Sequence, residues 1–181
     1  VVFMALAAPL LAPYDPYDQD LARRLIPPIW HAEGAWAHPL GTDKLGRDYW
    51  ARLIYGARIS LLIGTATMIL SGLIGTTLGL AAGYFGGRVD LVVSFLITTR
   101  LALPVILVAL AVVAKQGSSL LVVILVLGLL LWDRFAVVMR SVTQQARSQD
   151  YVTAARALGC STPRILLGEL LPNILTPLIV V

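Results

Sequence analysis

The chain has 181 residues, 58% hydrophobic and only 13% charged, with a mean hydropathy of +0.83. A soluble domain carries about 45–50% apolar and about 25% charged residues, so the composition excludes an ordinary soluble domain and points to a membrane protein. The net charge of +4 then reflects loop lysines and arginines and not nucleic-acid binding. The single cysteine, Cys160, excludes an internal disulfide and a cysteine-based zinc cluster.

Residues 1–12 are apolar but too short to cross a bilayer, which takes about 20 residues. They read as the end of a first transmembrane helix, the alternative being the apolar region of a signal peptide cleavable near Ala5-Leu6-Ala7. Residues 13–59 are rich in proline, aromatics and mixed charge and form an extramembrane connection. Its end is amphipathic: Trp50, Leu53, Ile54 and Ala57 fall at i, i+3, i+4 and i+7, which predicts a helix in the membrane interface or one packed on the protein. His31, Glu33 and His38 are three conceivable metal ligands in this stretch but read as surface polar groups, and Asp43 and Asp48 read as caps.

Three complete spans are expected over 60–139. The first, 60–85, is uncharged, and Thr67, Ser71, Gly75, Gly79 and Gly83 recur at every fourth position. Small residues at that spacing let helix backbones approach closely, so this helix belongs inside a bundle. Gly86-Gly87 predicts a tight turn. The second span, 91–114, contains Pro104 as a kink and Arg100, about 15 Å along the axis from Asp90 and hence near mid-bilayer. An arginine there must face protein or water. Arg100 is therefore a candidate for the translocation path, the alternative being a structural pairing with carbonyls or an acidic group on a neighbouring helix. The third span, 119–139, is interrupted by Asp133 and Arg134.

Residues 140–170 form a polar loop, and 171–181 the start of a further span. In "DYVTAARALGCSTPRI", Ser148 or Asp150 can cap a short helix, Gly159 is the expected C′ residue, and Pro163 opens a second helix running toward Pro172. Tyr151, Ala154, Ala155 and Leu158 share one face, with Thr153 and Arg156 off it. This face is either a docking surface for a partner or part of a hairpin that merely connects spans. The lysines Lys44 and Lys115 lie in no phosphate-loop context, and two histidines in one loop assemble no catalytic constellation, so no enzyme activity is expected.

"YVTAARALGCSTPRILLGELLPN" resembles the signature loop of binding-protein-dependent ABC importer permeases, whose pattern is Glu-Ala-Ala, a glycine four residues after the second alanine, and a downstream Leu-Pro. Ala154, Ala155, Gly159, Leu171 and Pro172 match it. "HPLGTDKLGRDYWARLIYGARISLLIG" and "AGYFGGRVD" resemble the second permease subunit of the dipeptide, oligopeptide and nickel transporter branch. The resemblance implies an all-α, polytopic bundle of the type I importer class, present here as a fragment of six spans, in a prokaryotic plasma membrane. It implies that 140–170 is cytoplasmic and docks on ATPase subunits through Tyr151, Thr153, Ala154, Ala155, Arg156, Leu158, Gly159 and Pro172, and that 13–59 is external. The implied partners are a second permease, two ATPase subunits carrying ATP and Mg, and a solute-binding protein. Nickel or a nickel chelate is an alternative substrate to peptides, and a stand-alone secondary transporter or channel is the rival from another class. The chain departs from the family at Thr153, where glutamate is usual, and at Phe95 and Thr98, where an arginine and an aspartate are frequent.

Overall fold

The computed structural model describes residues 2–12 and 14–174, and every regular element among them is helical. The chain divides into two compact units, Val1–Thr65 and Ala66–Val181.

In the first unit, α1 (Val2–Leu6) and α2 (Ala8–Leu11) meet the opening turns of α3 (Tyr49–Phe85). Ala8, Ala12, Ala51 and Ile54 form its core, with Trp50 and Tyr55 packed around them. The Trp50 indole N–H also donates to the Leu11 carbonyl at 2.8 Å. The amphipathic turn around Trp50 is therefore packed on the protein's own N-terminal helices, and it continues without a break into the apolar part of α3. The connection before it is organised by side chains that satisfy loop amides. Asp48 caps α3, its Oδ2 accepting from the Ala51 N–H at 2.7 Å. Asp43 Oδ1 accepts from the backbone N–H groups of Leu45 and Arg47, and its Oδ2 from the Arg47 side chain at 2.8 Å and from Arg52. Burial alone would raise the Asp43 carboxyl. The bonds from the Arg47 side chain and from the backbone of Arg47 and Leu45, with the Arg47 charge, outweigh it and hold the pKa at about 2. His38 is a correction to the expected surface group: it is buried, its Nδ1 lying 3.0 Å from Asp48 Oδ1.

The second unit holds the rest of α3, then α4 (Gly87–Ala102), α5 (Val105–Gln116), α6 (Leu120–Leu130), α7 (Trp132–Ala146) and α8 (Asp150–Ala157). Gly86 and Gly87 take left-handed φ of +63° and +51°, open to glycine without a Cβ penalty, and the chain reverses there. Two helices, Tyr49–Phe85 and Leu120–Ala146, are long and apolar enough to cross a membrane. A third span exists if α4 and α5, bent by 79° at their break, count as one. That break is sharper than the kink expected of Pro104. Proline cannot donate to α4, and its ring drives Leu103 out of the helical region to φ −92°, ψ 121°. Gly117 at φ +86° and Ser119, whose Oγ accepts from the Val122 N–H, separate α5 from α6. Beyond α8 the chain winds through α9 (Thr162–Arg164), a wider π segment (Ile165–Leu170) and α10 (Leu171–Ile174). Pro172 lacks the N–H an α-turn requires there, and the turn before it is wound wide. The expected further span lies, from residue 175 onward, outside the described residues.

Candidate functional site

The helix-packing residues bring α3 onto α7. A Cβ on Gly75 would stand 2.3 Å from the Trp132 carbonyl oxygen, one on Gly79 2.5 Å from that of Ala136, and one on Gly83 2.5 Å from the Thr143 Cβ. Only a hydrogen fits at these three positions, so successive turns of α3 lie directly against α7 backbone. Ser71, one turn earlier, is buried and returns its hydroxyl to the Thr67 carbonyl at 2.7 Å, which removes a polar group from an apolar span.

Two ion pairs join α4 to α7. Arg140 holds Asp90 with both carboxylate oxygens engaged, one at 2.8 Å. Arg100 Nε lies 3.1 Å from Asp133 Oδ1, with both side chains mostly buried. Arg100 is thus turned to an acidic group of a neighbouring helix, the second of its two expected roles. The carboxylate that receives it is 33 positions away in sequence, so no local pattern could have named the partner. Among the described residues, Arg134 is the cation near the middle of the Leu120–Ala146 span that has no ion-pair partner, and it is exposed. Sequence reading passed over it as an interruption.

The polar loop carries a short helix closed by hydrogen bonds. The Gly159 N–H donates to the Arg156 carbonyl at 2.9 Å and the Cys160 N–H to the Ala155 carbonyl at 3.1 Å, with Gly159 at φ +74°. This is a Schellman closure, which spends two of the helix's unpaired carbonyls and fixes the corner. At the other end the expected cap is corrected. Gln149 occupies the N-cap without a side-chain bond, and Ser148 donates back to the Gln145 carbonyl.

The faces of α8 also differ from expectation. Val152 and Ala155 are buried in a core with Leu80, Met139, Ile165 and Leu170. Ala155 belongs to that anchor and not to the offered face. Residues three apart stay on one side of a helix, and Val152, fully buried, decides which side turns inward. The exposed set is Tyr151, Ala154 and Leu158, the last 84% exposed. Thr153 is exposed and donates its hydroxyl to the Asp150 carbonyl of its own helix. Arg156 reaches back over the Tyr84 ring, 4.8 Å from its centroid. Arg147 donates to the carbonyls of Gly83 and Tyr84 at 3.3 and 3.4 Å, where the end of α3 leaves them unpaired. Pro172 lies in α10 and is exposed, outside the helix that carries the other expected docking residues. The arrangement is a helix with one face sunk in the bundle, its flank clipped to the end of α3, and one apolar face open.

Residues 75–181, which hold this helix and the α3–α7 contact, match the family described as the binding-protein-dependent transport system inner membrane component. The chain belongs to that family. Residues 1–28 match the N-terminal transmembrane domain of oligopeptide transport permease C. Similar proteins include the dipeptide transport system permease protein DppC of Haemophilus influenzae, 37% identical over 180 residues. That alignment covers 99% of this chain and 61% of the relative. The di/tripeptide permease DppC of Pseudomonas aeruginosa is 41% identical, with 99% and 59% covered. DppC of Escherichia coli is 42% identical, with 99% and 60% covered. The chain thus spans about three fifths of the length of these relatives. The family is one of bacterial inner-membrane permeases, which agrees with the all-helical architecture and the apolar spans.

Proposed function

We propose that this protein is a transmembrane permease subunit of an ATP-driven importer of di- and oligopeptides. It pairs with a second permease, binds no cofactor of its own, and takes its energy from two cytoplasmic ATPase subunits that hold ATP and Mg. A solute-binding protein delivers the peptide on the opposite side, where residues 13–59 lie. The cytoplasmic docking loop holds α8 and begins after Ala146, where the Leu120–Ala146 helix ends, and not at residue 140.

The observation that carries this reading is the division of α8 into an anchored face, Val152 and Ala155, and an open one, Tyr151, Ala154 and Leu158. A hairpin that only connected spans would have no reason to keep Leu158 in water. A ball-ended helix inserted into a cleft on a partner does have one, because its apolar tip is desolvated on docking. Displacement of α8 by the ATPases reaches α3 and α7 through the core that Val152 and Ala155 share with Leu80 and Met139. Alternating access follows as a rocking of those spans. The names of the relatives, which are dipeptide and di/tripeptide permeases, support peptide over nickel as the cargo.

The test is co-purification of the full-length protein from its native membrane in mild detergent. The expected result is a stable complex with a second permease and ATPase subunits, and ATP-dependent peptide uptake after reconstitution with the binding protein. A purified protein that transports solute without any ATPase overturns the reading.

A further inference from the structure

The exposed faces of the spans in the second unit are not alike. Beyond the first turn of α4 they are mainly apolar, Leu91, Val92, Phe95 and Leu96, with Thr98, whose hydroxyl donates to the Ser94 carbonyl of its own helix, and Thr99. On α6 they are Leu120, Leu121, Leu125 and Leu129, side chains suited to lipid. On α7 the exposed positions are Arg134, Val137, Ser141 and Gln145, which follow one another at i, i+3, i+7 and i+11 and so form a single stripe. Three of the four are polar. At 1.5 Å per residue, Arg134 lies about 21 Å from Leu120 and about 18 Å from Ala146, at the middle of the span, and Gln145 lies near its end. The other cations of the α4–α7 contact, Arg100 and Arg140, are neutralised by Asp133 and Asp90. Arg134 points away from both pairs and has no partner of its own among the described residues. The backbone beside it is irregular as well: Leu131, at φ −112° and ψ 6°, interrupts the helix between α6 and α7. A free arginine, a polar stripe and a broken turn at bilayer depth are each tolerated where they border water or protein, not acyl chains.

We propose that this stripe of α7 lines the translocation path and that Arg134 is a substrate-contacting residue for the carboxylate of the passing solute. The inference rests on the import reading and deepens it. A peptide carries at least one carboxylate at neutral pH, and a planar guanidinium meets a carboxylate with two parallel N–H···O bonds. Ser141 and Gln145, about 10 Å and about 16 Å further along the axis, offer hydroxyl and amide groups that bond backbone amides of any sequence. That suits a path which must pass peptides without selecting among side chains.

The experiment uses the full-length protein assembled with its second permease, ATPases and binding protein in proteoliposomes, all free of cysteine except for one introduced residue, with Cys160→Ser here. Ser141→Cys, Gln145→Cys and, as a lipid-facing control, Phe95→Cys are exposed to a charged, water-soluble methanethiosulfonate. The expected result is modification of positions 141 and 145 but not of 95, slowed several-fold when transported dipeptide and ATP are present. In parallel, Arg134→Gln lowers uptake about tenfold or more, the scale of losing one charge-assisted contact. Arg134→Lys stays within about threefold of wild type, and ATP hydrolysis stimulated by the binding protein is kept in both. Positions 141 and 145 that resist the reagent as Phe95→Cys does would mean that the stripe faces lipid or the second permease, and would overturn the proposal. So would uptake unchanged by Arg134→Gln. Either result in a complex that assembles and transports leaves the import reading intact, whereas a preparation without ATPases overturns both.

Discussion

Replacing Gly79 with alanine adds one methyl group where the α3–α7 contact has no room for it. The new Cβ would lie 2.5 Å from the Ala136 carbonyl oxygen, 2.8 Å from the Met139 Cβ and 3.0 Å from the Arg140 nitrogen. Two of these atoms belong to helix backbone, so no rotamer change relieves them. Ordinary contact begins at 3.4 Å, and α7 must therefore retreat by about 0.9 Å. Overpacking of this kind costs about 1–3 kcal/mol, while alanine in place of a helix glycine returns about 1 kcal/mol in propensity. The clash outweighs the gain at Gly79. At Gly72 the nearest atom is the Phe135 ring at 3.8 Å, so the gain stands alone. In thermal unfolding of the detergent-solubilised protein, followed by tryptophan fluorescence, Gly79→Ala is expected to fall below wild type by a few degrees, at about 2–4 °C per kcal/mol. Gly79→Val should fall further, and Gly72→Ala should match or exceed wild type. Equal stability of Gly79→Ala and Gly72→Ala would refute the close approach of the two helices.

Asp133→Leu should destabilise the protein by about 3–5 kcal/mol, because Arg100 is left buried and unpaired, and the added change Arg100→Leu should recover most of the loss. A double-mutant cycle on unfolding midpoints reads this directly. The Asp43 carboxyl, held at about 2 against an ordinary 3.8, stabilises the folded state fully above pH 4 and loses that contribution as pH falls from about 4 through about 2. Asp43→Asn should lower the midpoint at neutral pH and flatten its decline over that window. Gly159→Val puts a branched side chain at φ +74° and should sharply raise ATP hydrolysed per peptide imported, whereas Thr153→Ala, which removes only a bond within α8, should leave that ratio near wild type.

Much of the architecture is written locally. Uninterrupted apolar runs, the Gly86-Gly87 reversal and the small-residue repeat through Gly83 each act over a few residues, and the sequence shows them. The Schellman corner at Gly159 is equally local, since only the φ of one residue and two backbone bonds define it. What failed to show depended on distant chain. Two overlapping apolar faces of α8 are equally plausible in isolation, and the bundle chooses between them by burying Val152. His38 reads as a loop polar group until Asp48, ten positions on, is folded beside it. The stripe on α7 is a different case. Arg134, Ser141 and Gln145 stand at helical spacing in the sequence, but the face they take is decided by the burial of Ala136, Met139 and Thr143, and Asp133, the neighbour of Arg134, pairs with Arg100.

The charge order along α4 and α7 explains why that neighbour is not the partner. Of the paired residues, each helix carries the carboxylate first and the arginine second, Asp90 then Arg100 and Asp133 then Arg140. Two helices with the same order can neutralise both charges only if they run antiparallel, and the pairs Asp90–Arg140 and Arg100–Asp133 show that they do. The spacings do not match, however: ten residues on α4 are about 15 Å and seven on α7 about 10.5 Å. One pair can be well aligned and the other must stretch. Arg140 engages both Asp90 oxygens, whereas Arg100 Nε and Asp133 Oδ1, though 3.1 Å apart, are not oriented as a hydrogen bond and have no other bonding partner. Asp133 is therefore committed to Arg100 by charge across a mismatch of about 4.5 Å, on the inner side of α7. Arg134, one residue on, is turned by about 100° from it. A helix that neutralises its buried anion in this way presents the next cation outward, and among the described residues no acidic side chain pairs with it.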